Sequence, residues 1–167
     1  MSVASIYEGW QKVQTRMTYT LPKLDPAALQ LRSAEGRWPV WAIVSHLAGT
    51  RVYWLCHVFK EPGAETTPFG DPSGEGWEDH LDQPRTADEL MFALGTTWRV
   101  VQSCLERWTP DMLEVIFPRR IGDVVQQHSR HSVLTRLVMH DSYHCGEVSL
   151  LLGQNGLPSM DPWEPIV

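Results

Sequence analysis

Apolar residues recur at helical spacing in four stretches of the chain. Near residues 3–20, Ile6, Trp10, Val13 and Met17 form one stripe, and Pro22 stops it. Near 39–60, Val40, Ile43, Val44, Leu47, Trp54, Leu55 and Val58 share a face behind Pro39, and "KEPG" ends the run. Near 86–108, "TADE" reads as a capping box in which Thr86 and Glu89 satisfy each other's backbone N–H. Leu90, Leu94, Trp98, Val101, Leu105 and Trp108 follow at helical spacing. Near 130–154, Val133, Leu137, Val148, Leu151 and Leu152 lie on one side, and "GQNGLP" supplies a left-handed cap at Asn155 or Gly156.

The connections are long. Residues 61–85 are rich in Gly and Pro, and such a link can carry the chain back along a helix of about 33 Å. Residues 21–38 exceed a tight turn, and "LEVIF" and "DVVQQ" can pair as a short hairpin around "PRRIGD". The pattern predicts an all-α fold: a four-helix bundle with long crossover links in one domain spanning 1–167.

Composition is that of a globular chain, 43% hydrophobic and 20% charged, with net charge −6. It lacks a basic stripe, which argues against nucleic acid and a membrane surface as partners. No export signal or membrane-length apolar run is visible. The odd, widely spaced Cys56, Cys104 and Cys145 then read as reduced thiols, and the expected location is the cytoplasm. The eight tryptophans are more than such a bundle ordinarily needs, and some are expected in a homodimer interface.

The chemistry lies in "LVMHDSYHCGEVSLLLGQNG", residues 137–156. At about 100° per residue, His144 lies within the apolar stripe and His140 at its margin. Two hydrogen-bonded core histidines would be the plainer reading of the spacing alone. Burying two imidazoles without partners is costly, however, and a shared metal ion resolves that cost. His46, in "WAIVSHLAG", is the best third ligand: it sits at the edge of its helix's apolar face, with Ala42 and Gly49 leaving room beside it. Glu147 is the candidate acceptor behind His140, or a general base. Asp141 points away from the pair and is expected at a cap or on the surface, and Cys145 is expected to pack as a small side chain. Tyr7 and Trp10 are expected in the core, His57 at the surface or a dimer contact. A zincin-type reading with Glu164 as third ligand is disfavoured, because Asp141 replaces the required Glu and prolines surround Glu164.

"WPVWAIVSHLAGTRVYW" followed far downstream by "MHDSYHCGEVSLLLGQNGLP" resembles the DinB-like (DinB/YfiT-like) metalloenzyme family. That family has a Trp-led helix with one His and a last helix reading H-x-x-x-H-x-G-[QE]. The resemblance covers essentially the whole chain. It implies a bundle with up-down-down-up connection and a divalent metal, zinc or nickel most often, on His46, His140 and His144. It also implies homodimers and, where activities are assigned, S-transferases or isomerases that use a low-molecular-weight thiol cosubstrate on a small-molecule substrate. The family often carries a further His and a basic residue where this chain has Tyr143, His144 and Cys145. A non-catalytic, stress-associated metal-binding protein and a metal-dependent hydrolase are the alternatives.

Overall fold

A computed structural model describes residues 2–71, 73 and 75–166. Four long helices carry the core: α1 (Glu8–Thr20), α3 (Val40–Val52), α4 (Ala87–Arg107) and α6 (Arg130–Gln154). Two single-turn helices, α2 (Pro26–Leu29) and α5 (Pro110–Leu113), lie in the connections. Each of these short helices begins with proline, which fits the first turn because its missing N–H has no partner there anyway.

α4 follows its sequence pattern closely. Thr86 Oγ1 accepts from the Glu89 N–H at 3.3 Å, and Glu89 accepts from the Thr86 N–H at 2.9 Å. Leu90, Leu94 and Val101 are fully buried along its inner stripe. α3 departs from the one-faced expectation, with ten of its thirteen residues buried. A helix apolar on all sides belongs at the centre of the packing, and α3 packs against both α4 and α6.

The continuation of α3 is a π-helical turn, Tyr53–Val58, closed by the Phe59 N–H donating to the Trp54 carbonyl at 3.1 Å. Such a turn changes the phase of the side chains that follow. Here it brings Tyr53, Trp54 and His57 to the same cleft as His46. Lys60 then takes a left-handed conformation, φ 61°, which ends the helix.

The fold is mostly helical rather than all-α. β1 (Ile116–Ile121) pairs antiparallel with β2 (Val124–Ser129), Ile121 opposite Val124. The turn is tighter than the sequence suggests. Gly122, at φ 55°, shares it with Asp123, so Pro118, Arg119 and Arg120 lie inside a strand. In a two-stranded sheet every strand is an edge, so Pro118 is tolerated.

Glu61 joins the far ends of three helices. It accepts from Arg107 and Arg130 at 2.9 Å each and from Trp108 Nε1 at 3.2 Å. Burial opposes its charge, but the two guanidinium bonds outweigh that and hold its carboxyl below the ordinary range.

Most tryptophans serve the core. Trp10, Trp41 and Trp108 are almost fully buried, and Trp163 is the large exception at 73% exposure. No helix among the described residues is long and apolar enough to cross a membrane.

Candidate metal centre

His46 lies on the second turn of α3, and His140 and His144 lie one turn apart on α6. One nitrogen from each ring falls within 4.8 Å of the other two. Ring centroids are 4.5 Å apart for His140–His144, 4.9 Å for His46–His140 and 5.3 Å for His46–His144. His46 Nε2 and His140 Nε2 are only 3.0 Å apart.

Each ring has a carboxylate behind it. Glu78 Oε1 is 2.7 Å from His46 Nδ1, and Glu147 Oε2 is 2.8 Å from His144 Nδ1. If those carboxylates accept an N–H, both neutral rings turn an Nε2 lone pair toward the centre. Behind His140 stands Asp141 Oδ1, 3.8 Å from Nδ1, too far for a hydrogen bond. Both of those atoms are buried without a partner.

Glu147 therefore backs His144, not His140 as its azimuth suggested. Asp141 is the larger departure. It is fully buried, and its Oδ2 accepts from Trp10 Nε1 at 2.6 Å and from Arg51 Nε and Nη2 at 2.9 and 2.7 Å. Gln14 Oε1 takes a further Arg51 bond at 2.8 Å. Asp141 thus connects a buried ion pair on one side with the histidine cluster on the other.

Glu78 is the site residue that sequence reasoning missed. It sits on a 3-10 turn (Trp77–Asp79) inside the long link. Ser45 Oγ donates to its second oxygen at 3.3 Å. Gly76 lets the side chain fold back onto His46, because a Cβ there would run into the Glu78 carboxylate. The link is thus a wall of the site, with the buried Phe69 ring packed at a tilt against Trp77, 5.3 Å between centroids.

Beside His46 and His140 opens a cleft of about 380 Å³. His57 lines it rather than facing free solvent, its Nε2 3.1 Å from the Phe69 carbonyl. Gly49 lies on the same wall, where a Cβ would touch the Phe69 ring at 3.4 Å. Tyr143 is exposed and lies 5.0 Å from the His144 ring. Glu164 is remote from the cluster and pairs loosely with Arg16 at 3.9 Å.

Burial lowers the pKa of His144, and the neighbouring His140 and His46 rings lower it further against the opposing bond to Glu147. Neutral imidazole is the form that binds a metal. The thiols are different: burial pushes Cys104 up to about 12, and Cys56 and Cys145 up to about 11. Cys145 packs with its thiol donating to the Met160 carbonyl at 3.4 Å, and no cysteine reaches the triad.

This donor set could hold a divalent metal ion: three imidazoles, with carboxylates placed behind His46 and His144.

The DinB superfamily model matches residues 10–148, and the chain belongs to that superfamily. Its fold is similar to the crystal structure of a DinB-like protein from Bacillus cereus ATCC 10987. The TM-score is 0.64 at 18% identity, over 99% of this chain and 97% of the other. No curated protein matches the chain.

Proposed function

We propose that the protein is a metal-dependent enzyme acting on a small molecule, with His46, His140 and His144 as the ligands of zinc or nickel. The convergence of three imidazoles within 4.8 Å carries this reading. The adjoining cleft favours it over a sealed, non-catalytic metal site. The four long helices are read as the family's up-down-down-up bundle.

A bound divalent ion would supply Lewis acidity and lower the pKa of a thiol or water in its open position. The chain's own residues orient and exclude. Glu78 and Glu147 fix the rings of His46 and His144. Phe69, Trp54 and Tyr53 give the cleft an apolar wall. Glu147, one-third exposed behind His144, is the candidate general base. The three buried cysteines are poor nucleophiles, so a thiol reaction here would take its sulfur from a low-molecular-weight cosubstrate. That favours an S-transferase or isomerase over an enzyme using its own cysteine; a metal-dependent hydrolase is the competing reaction type.

Protein purified without a nickel column should contain about one metal ion per chain by elemental mass spectrometry, lost in His144→Ala. No metal, and none taken up from added zinc or nickel, would remove the enzyme reading. With metal established, thiol conjugation to an electrophile should vanish in His46→Ala; conjugation that survives would eliminate the transferase. We also place the protein in the cytoplasm as a homodimer. Exposed Ile6, Met139 and Trp163 around an apolar groove between α1 and α6 support the dimer, and a monomer by light scattering at micromolar concentration would refute it.

A further inference from the structure

Two chemically different groups line the cleft: His46, His140 and Glu78 at one place, and Arg119 from β1 with Arg136, one turn before His140 on α6, at another. The two guanidinium groups lie 4.9 and 5.0 Å from the centre of a Trp54 ring system, and Trp54 is itself only 4% exposed. The His128 ring joins them at 4.8 Å from Trp54. Burial first, then the positive charges of Arg136 and Arg119, hold His128 below the ordinary imidazole range.

This clustering of positive charge lacks its counterpart. Arg16, Arg51, Arg85, Arg107 and Arg130 each have a carboxylate within ion-pair distance. Among the described residues, Arg119 and Arg136 have none; Arg32, Arg37, Arg99 and Arg120 also have none, but of the unpaired arginines only Arg119 and Arg136 line the cleft. The two acids on the cleft are engaged elsewhere, Glu78 with His46 and Glu75 with His80 at 3.5 Å. Arg119 Nε donates to Tyr53 Oη at 2.7 Å, which steadies the group and leaves its terminal nitrogens free of that bond. Stacking on an indole fixes a guanidinium plane, and a fixed plane is suited to paired hydrogen bonds with a carboxylate.

We propose that Arg119 and Arg136, stacked on Trp54, are the anion-recognition end of the cleft, and that the substrate is a small organic carboxylate. Its acid group binds the guanidiniums while its other end reaches the histidines. Placing the reacting end there rests on the metal reading above; the carboxylate end does not. The span is short. Arg136 precedes His140 by one helical turn, about 6 Å of axial rise. Glu75 and Glu78, which line the same cleft, disfavour a dianion such as a phosphate monoester.

The test uses 3-phenylpropionate, 3-phenylpropan-1-ol and phenyl phosphate, titrated by calorimetry into metal-stripped and zinc-treated protein. The carboxylate should bind about tenfold or more tighter than the alcohol in the stripped protein. Arg119→Gln/Arg136→Gln should erase that preference while the alcohol's affinity and the far-ultraviolet circular dichroism stay unchanged. Either single variant should retain part of it. Equal binding of carboxylate and alcohol in stripped protein would overturn the proposal. So would a preference that survives the double variant, which would send the carboxylate elsewhere, or tighter binding of phenyl phosphate. Because the stripped protein gives the answer, failure of the metal site shows separately, as absence of zinc uptake.

Discussion

Asp141 shows how one side chain serves two neighbourhoods. Its Oδ2 carries three short bonds from Trp10 and Arg51, while its Oδ1 faces His140 without one. Removing one partner of a buried pair leaves the other charge uncompensated, which costs about 3–5 kcal/mol. Asp141→Asn should therefore lose about 3 kcal/mol in urea unfolding. The paired Arg51→Met/Asp141→Leu variant should lose less, because no charge is left behind. A loss below about 1 kcal/mol for Asp141→Asn would refute the buried pair. The thiols give a second residue-level expectation. With pKa values pushed to about 11 and about 12, the cysteines should resist an aromatic disulfide reagent at pH 8 in native protein. All three should react in denaturant. Fast reaction of one thiol in native protein would mean that its burial is incomplete. The histidine triad was legible because helical spacing sets the azimuths of His140 and His144. Asp141 was misread although its direction was right. α6 is buried on more than one side, so a residue turned away from the histidines meets the core around Trp10 and Arg51, not solvent.

At the scale of elements, the helices were readable and the long link was not. Periodicity located α4 and α6 almost to the residue and found α1 and α3, its stretches running on into the 3-10 turn before α1 and the π-helical turn after α3, because each buries a stripe or more of apolar surface. The link has no period, and Glu78 meets His46 across 32 positions of sequence, so local pattern carries no trace of that contact. The π-helical turn after α3 was equally invisible, because it changes phase without changing composition. The link's role yields a specific expectation. Glu78→Gln should weaken zinc affinity about 10–100-fold, the usual effect of losing a carboxylate behind a metal-bound histidine. Gly76→Ala should do the same at a distance, since its methyl group displaces the Glu78 carboxylate. Competition with a chromophoric chelator measures both. Unchanged affinity in both variants would show that the link only covers the site.

Across the whole molecule, the candidate site ties together parts of the chain that otherwise meet only by packing. His46 comes from α3, His140 and His144 from α6, and Glu78 from the link. A ligand that binds only the folded form stabilises it by mass action, by about 4 kcal/mol at a thousandfold excess over its dissociation constant. Zinc should therefore raise the melting temperature of stripped protein by several degrees, and His144→Ala should abolish the increment. Its pH dependence has a definite sign. The His144 pKa is lowered from its ordinary 6.5 in the folded chain. Between that lowered value and 6.5 the unfolded chain binds more protons, so stability rises with pH through this interval. The His144 contribution is complete above about 6.5 and is lost as pH falls through the folded value. Metal and proton compete for the same nitrogen, so the zinc increment should shrink in the same direction. Melting curves at pH 7.5 and pH 5.5, with zinc and with chelator, separate the two effects: the chelated protein reports protonation without metal, the His144 share of it being what His144→Ala removes, and the difference reports the metal. A zinc increment equal at both pH values would mean that the ion binds somewhere other than these imidazoles.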